Sequence, residues 1–189
     1  LVLAFTGITS HTGTIGVTGT APTVAQANIL DAVTAGVITA TVATDSATDL
    51  ATLTGTGNAY TITLANTEVA TIARLKTIND ATTGTVTLNA TTIAANFDDT
   101  AANLNSAFTG ITSHTGTLTL SAGAAAASIA QLKTINAATT GTVTLNANTI
   151  SAAFSDSAAN LVSAFTGIAT HTGTIAVTGT APTVAQANI

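Results

Sequence analysis

The amino-acid sequence predicts an α/β repeat solenoid, with a parallel β-sheet on one side and short crossover helices on the other. Three observations carry that expectation. The chain repeats itself almost residue for residue, the repeats contain short segments in which Thr alternates with aliphatic residues, and between those segments the aliphatic spacing lengthens to three or four. Residues 1–29 return as residues 161–189 at a shift of 160, with differences only at positions 3, 9, 10 and 16. A second repeat has a shift of 57: LKTINDATTGTVTLNATTIAANF (75–97) recurs as LKTINAATTGTVTLNANTISAAF (132–154). It continues from AANLNSAFTGITSHTGTLTL (101–120) into AANLVSAFTGIATHTGTIAV (158–177).

In chain order the alternating segments are TIGVT (14–18), ITATV (38–42), YTITL (60–64), TVTL (85–88), TLTL (117–120), TVTL (142–145) and TIAVT (174–178). β-Branched residues with a period of two read as strands, and Thr-Gly-Thr or Gly-Thr introduces most of them. From Ile15 through Ile38, Ile62, Val86, Leu118 and Val143 to Ile175, the gaps are 23, 24, 24, 32, 25 and 32 residues. Six strand-helix units therefore fill the long period. In the 32-residue units the extra length follows the strand, in NATTIAANF and NANTISAAF, as a second short strand or a bulging loop.

Between strands, Val69, Ile72, Leu75 and Ile78 form one stripe, Ile129, Leu132 and Ile135 its counterpart, and Leu104, Phe108 and Ile111 another. That is the period of an amphipathic helix. Thr23 with Gln26, Ser128 with Gln131, and Thr183 with Gln186 have capping-box spacing. Asp99, Thr100, Asp156 and Ser157 precede or begin the AANL helices, where short oxygen side chains satisfy free N–H groups. Strand, helix and strand at this spacing imply parallel strands joined by right-handed crossovers. Each unit is too small to bury its own apolar face, so the units must stack. Residues 1–189 are expected to form one solenoid of about seven units. A parallel β-helix is the alternative architecture.

Composition narrows the function. Charged residues make up 6% of the chain and aromatic residues 3%, and the net charge is −5. Arg74, Lys76 and Lys133 are the three basic residues, too few to neutralise the phosphates of a nucleic acid. With no Cys there is no disulfide framework and no thiolate metal site. The first 30 residues carry no charge, but four glycines, Pro22 and many Thr interrupt them, which argues against a membrane-spanning helix. Lacking an initiator Met and a signal-peptide pattern, the chain reads as an excised or processed piece.

One parity of the strands is aliphatic and should face the helices. The other is Thr: Thr39 and Thr41, Thr61 and Thr63, Thr85 and Thr87, Thr117 and Thr119, Thr142 and Thr144. On parallel strands roughly 4.8 Å apart these would form two files. Three roles fit such a face. It keeps the sheet soluble, it packs against another copy or a polysaccharide, or it binds ice, since Thr-x-Thr files are the feature of β-solenoid antifreeze proteins. Gly16 and Ala176 interrupt the files in the first and last strands. Solenoids need polar capping repeats, whereas the first and last segments here are ordinary repeats. The expectation is an array open at both ends, continued covalently or stacked head to tail with further copies; contacts that do not close generate filaments.

Few residues carry the makings of a chemistry. His11, His114 and His171 occupy the same place in their repeats; two strands apart, roughly 10 Å by the strand spacing, His114 and His171 are too distant to share a zinc ion. A turn or helix-exit role is expected for them, and capping for most of the acidic residues. Asp98 with Asp99 is a weak Ca²⁺ candidate, not repeated at Ser155 and Asp156. No G-x-S-x-G, H-E-x-x-H or P-loop pattern appears, and the expectation is that the protein is not an enzyme, with no catalytic residue, cofactor or metal assigned.

LTGTGNAYTITL (53–64), AQLKTINAATTGTVTLN (130–146) and DSAANLVSAFTGIATHTGTI (156–175) resemble the Ala/Thr-rich tandem repeats of very large cyanobacterial surface and secreted proteins, many described as haemolysin-like or RTX-type. The resemblance covers nearly the whole chain and is one of repeat style. It implies secretion and an extracellular or cell-surface location; the Gly- and Asp-rich nonapeptides that bind Ca²⁺ in RTX segments are absent. The expected function is structural: a building block of a long extracellular repeat protein or filament, with an adhesin or ice-binding module as the alternative.

Overall fold

Strands and helices alternate along the chain, and neighbouring strands pair in parallel, in a computed structural model that describes Phe5, Gly7, Ile8 and residues 10–188. Residues 1–92 and 93–189 form two compact units. The first unit runs β1 (Ile15–Gly16), α1 (Val24–Val33), β2 (Ile38–Thr41), α2 (Ala47–Leu50), β3 (Ala59–Thr63), α3 (Ile72–Asp80) and β4 (Val86–Thr87), with α4 (Ala90–Ile93) at the boundary. Its sheet has the order β1-β2-β3-β4.

Ile15 lies opposite Ile38, and Ile62 opposite Val86, as the spacing of the repeats requires. The β2–β3 pair departs from it: Thr41 faces Thr61 and Ala40 faces Tyr60, so Ile38 and Ile62 are not partners. The cause is the crossover. Helix α2 has four residues where α1 has ten and α3 nine, so the chain returns to the sheet after a shorter path. The slip relative to the Ile38–Ile62 alignment is an even number of residues, so inward and outward parities survive. Val69 is a second correction. It precedes α3 and is 48% exposed, while Ile72, Leu75 and Ile78 are buried as the stripe demands.

The second unit contains β5 (Phe97–Asp99), α5 (Ala101–Phe108), β6 (Leu118–Leu120), α6 (Ile129–Ala138), β7 (Val143–Thr144), α7 (Ala147–Ile150), β8 (Phe154–Ser157), α8 (Ala158–Phe165), β9 (Ile175–Thr178) and α9 (Val184–Ala187). Strands β5, β6 and β7 make one sheet, and β8 with β9 another. The extra length of the 32-residue units is thus a four-residue helix followed by a short strand, α4 with β5 and α7 with β8. Helix α5 packs on α6, and α6 on α8. No helix among the described residues is long and apolar enough to cross a membrane.

Helix starts follow the capping logic. Thr23, Ser128 and Thr183 each accept from the N3 backbone N–H while the N3 Gln side chain returns to the cap. Thr100 and Ser157 cap α5 and α8. Behind them Asp99 and Asp156 each accept from the next backbone N–H and from the Asn four residues on, at 2.7 and 2.8 Å in both repeats. Asn160 first, then Ser157 and Lys133, hold the Asp156 carboxyl below its usual range.

The aliphatic parity fills the interior. Ile38, Ile62, Leu75, Ile78, Leu104, Leu118, Leu132 and Ile135 are fully buried, each contributing about 1.5–3 kcal/mol by leaving water.

Candidate interaction surface and corner sites

The Thr parity faces outward. Thr39, Thr41, Thr61, Thr85, Thr87, Thr142 and Thr144 are exposed, and Thr63, Thr117 and Thr119 half-buried. The slipped register rearranges them. Thr41 stands beside Thr61 and Thr63 beside Thr87, but Thr39 stands between Gly16 and Ala59, not beside Thr61. In the second unit Thr119 pairs with Thr144 on one side and with Asp98 on the other. Strands β4 and β6 belong to different sheets, so Thr87 does not continue into Thr119. The faces are therefore Thr pairs within each unit rather than two unbroken files. Asp98 accepts a hydrogen bond from the Ser121 hydroxyl at 2.7 Å, which occupies one oxygen of the carboxylate considered for Ca²⁺.

Successive strands are entered through a corner that repeats. Thr34 Oγ1 accepts from Gly36 N–H at 2.9 Å and donates to the Gly13 carbonyl one repeat back at 2.8 Å. Thr139 does the same with Gly141 N–H and the Gly116 carbonyl, and Thr82 with Gly84 N–H and the Tyr60 carbonyl. A Cβ on Gly36 would overlap the Gly13 carbonyl, and one on Gly141 the Gly116 and Thr115 carbonyls. The hydroxyl and the missing side chain act together: one ties a repeat to the repeat before it, the other permits that approach. The signal in the sequence is T-x-G at positions 34, 82 and 139, which reading by strand propensity alone passes over.

A second clasp follows the strands. Asn89 Oδ1 accepts from Thr92 N–H while its Nδ2 donates to the Ala65 and Glu68 carbonyls; Thr92 Oγ1 then accepts from Ala70 N–H. Asn146, Thr149 and Ala127 repeat the arrangement. Both Thr side chains are wholly buried, and each has the partner that burial demands.

The histidines sit at corners, as expected, but in aromatic surroundings. His114 is fully buried, with Phe97 and Phe108 ring centroids at 5.5 and 5.0 Å. Its Nε2–H donates to the Ala95 carbonyl at 2.9 Å, and Nδ1 has no partner. Burial pushes its pKa below the ordinary value, against the smaller opposing effect of that hydrogen bond. His171 repeats the setting with Phe154 and Phe165 at 5.3 and 4.9 Å and the Ala152 carbonyl at 3.0 Å. His11 lies edge-on to Phe5 and meets Thr34 Oγ1 at 3.2 Å through Nδ1. Among the described residues no three metal-ligating side chains converge.

The polar cavity of about 320 Å³ beside Asp31, Gly55 and Asn58 holds one ionisable side chain. Asp31 already accepts from Asn58 Nδ2 at 2.9 Å and Thr54 Oγ1 at 3.0 Å, so no acid–base pair forms there. Tyr60, fully buried and with its hydroxyl unpartnered, has its pKa pushed up to about 12 by burial and, secondarily, by the Asp31 charge. Glu68 is held below its usual range chiefly by the Thr48 hydroxyl and N–H, with Arg74 at 3.0 Å adding to the effect.

In comparisons with known proteins, the chain matches no family model, no curated protein and no solved structure.

Proposed function

We propose that the chain is a structural, non-enzymatic building block of a long extracellular repeat protein or filament, assembled end to end as an α/β solenoid. One observation carries the reading: neighbouring strands pair in parallel, and they are joined at a corner that recurs with the repeat, where Thr34, Thr82 and Thr139 each bond a carbonyl of the repeat before. Repeats whose contacts run to their neighbours suit a continuing array. The neutral T-x-G and Asn–Thr clasps support the same reading, because they tie repeat to repeat along the chain without ionisable groups. The resemblance to cyanobacterial surface repeats supports the extracellular location. Negative-stain imaging of concentrated protein should show rods or fibres; monodisperse single copies at every concentration would overturn it.

A second reading, an adhesin or ice-binding module, is favoured by the registered outward pairs Thr41–Thr61, both exposed, and Thr63–Thr87, of which Thr63 is half-buried. It predicts shaping of ice crystals by the purified chain; unshaped crystals and no thermal hysteresis would remove the ice-binding form of it.

A further inference from the structure

Lys133, Asn160 and Asp156 converge where helix α6 packs on α8. Lys133 Nζ donates to Asn160 Oδ1 at 2.5 Å, and Asn160 Nδ2 donates to Asp156 Oδ1 at 2.8 Å. One amide thus holds an amine at its oxygen and a carboxylate at its nitrogen, and all three residues are half-buried. The register between the helices is fixed one turn away, where Asn136 Nδ2 donates to the Ser163 and Thr166 carbonyls at 3.0 and 3.1 Å. Asp156 also accepts from Ser157 N–H at 2.7 Å, so its place beside the amide nitrogen is set from two sides. After the Asn160 and Ser157 hydrogen bonds, the Lys133 charge also helps to hold the Asp156 carboxyl below its usual range; amine and carboxylate feel each other across the amide.

The same spacing stands 57 residues earlier, in Lys76, Asp99 and Asn103. Asn103 and Asp99 repeat the amide–carboxylate bond at 2.8 Å. Lys76, however, donates to Asp80 Oδ2 at 2.7 Å. The later repeat has Ala137 in place of Asp80, so no carboxylate on its own helix competes for Lys133.

We propose that Lys133 and Asn160 join in an isopeptide bond, a covalent staple between α6 and α8 whose proton carrier is Asp156. Asn160 Cγ lies one C=O bond, about 1.2 Å, beyond Oδ1, which puts it within roughly 3.7 Å of Nζ, close to the ~3–3.5 Å of a near-attack arrangement. Asp156 takes a proton from the Lys133 ammonium, and the free amine attacks Asn160 Cγ. Asp156 passes that proton to Nδ2 and takes a second one from the attacking nitrogen. The Cγ–Nδ2 bond breaks as the Cγ–Nζ bond is completed, and the departing ammonia leaves as ammonium with the second proton. One amide replaces another, so the step needs no oxidant, reductant or co-reactant. The staple is internal to the chain and stands apart from the end-to-end reading above.

Mass and proteolysis test it together, because Arg74, Lys76 and Lys133 are the only sites at which trypsin cuts. The full chain is purified, held at mildly alkaline pH to favour the free amine, weighed intact and then unfolded and digested. The expected mass is about 17 Da below that of the sequence, one ammonia lost, and residues 77–189 stay in one piece. Lys133→Arg and Asn160→Ala should keep the full mass and be cut at position 133. Asp156→Asn, checked by circular dichroism to be folded, should form the link far more slowly. A wild type of full mass that is cut after Lys133 overturns the proposal, whatever the variants do. So does a loss of about 17 Da that persists in Lys133→Arg, since an asparagine closing on its own backbone loses the same ammonia. A link that forms undiminished in folded Asp156→Asn overturns the role given to Asp156.

Discussion

Asn58 and His114 occupy the same station of the repeat, and they hold it by different means. Each forms an isolated parallel bridge to a Thr, Thr82 in one unit and Thr139 in the other, and each of these Thr hydroxyls reaches back one repeat. In the first unit the corner is filled by directed polar bonds. Asn58 Oδ1 accepts from Ile38 N–H at 2.9 Å, and Nδ2 donates to Asp31. In the second, the larger ring of His114 wedges between Phe97 and Phe108 and leaves Nδ1 bare. The difference teaches that the corner demands a filled volume and a tied backbone, and that either an amide network or an aromatic box supplies them. Only the second solution introduces an imidazole, whose pKa burial pushes below its ordinary value.

The feature both corners share should fail hardest. Gly84→Ala and Gly141→Ala each drive a methyl into a backbone carbonyl, and thermal or denaturant melts should show losses of about 3 kcal/mol or more. Gly16→Ala, where space is open and the second copy already has Ala176, should change stability by less than about 0.5 kcal/mol. Equal effects at Gly16 and Gly141 would refute the close-approach account.

Transplanting the first corner into the second sharpens the contrast. His114→Asn removes the ring from between two phenylalanines and should cost about 2–4 kcal/mol. Its pH profile is the more telling readout. The folded pKa of His114 is depressed, so below the ordinary value near 6.5 the unfolded chain takes up a proton that the folded one refuses. The stability that neutral His114 contributes is fully present above about pH 6.5 and is lost as the pH falls toward the folded pKa. Denaturant midpoints of the wild type should therefore drop on acidification, and the His114→Asn variant should drop less. Identical slopes would remove His114 as the cause.

The smallest effect belongs to Tyr60. Its buried hydroxyl has no partner, so Tyr60→Phe relieves a desolvated polar group and should leave stability unchanged or raise it by up to about 1 kcal/mol. A loss above that size would show that the hydroxyl is bonded in solution.

Much of this architecture was legible in the residues. Alternation of Thr with Ile, Val and Leu set which side of each strand is buried, because successive side chains point to opposite faces. The spacing of Thr23 and Gln26 marked a helix start, because the two groups satisfy each other's backbone N–H. What escaped depended on contacts between repeats. The β2–β3 register follows from the length of α2, and the equal spacing of Ile38 and Ile62 conceals it. At NATTIAANF the sequence leaves both a short strand and a bulging loop open, because Phe97, Asp98 and Asp99 lack the alternation that would decide it; pairing with β6 sets the place of β5. The Thr face was legible as exposure but not as continuity, since Asp98 and Ala59 enter it only through register. The T-x-G corner is written plainly in the chain, but its meaning lies in a carbonyl one repeat away.

That corner has a further consequence for the medium the protein tolerates. A neutral hydroxyl, an amide and a carbonyl leave dissolved ions nothing to screen, and the recorded ion pairs, Arg74–Glu68 and Lys76–Asp80, lie at the partly exposed periphery. Cohesion from repeat to repeat should therefore be nearly the same in fresh water and in brine, a property that a surface held by exposed charge pairs does not confer.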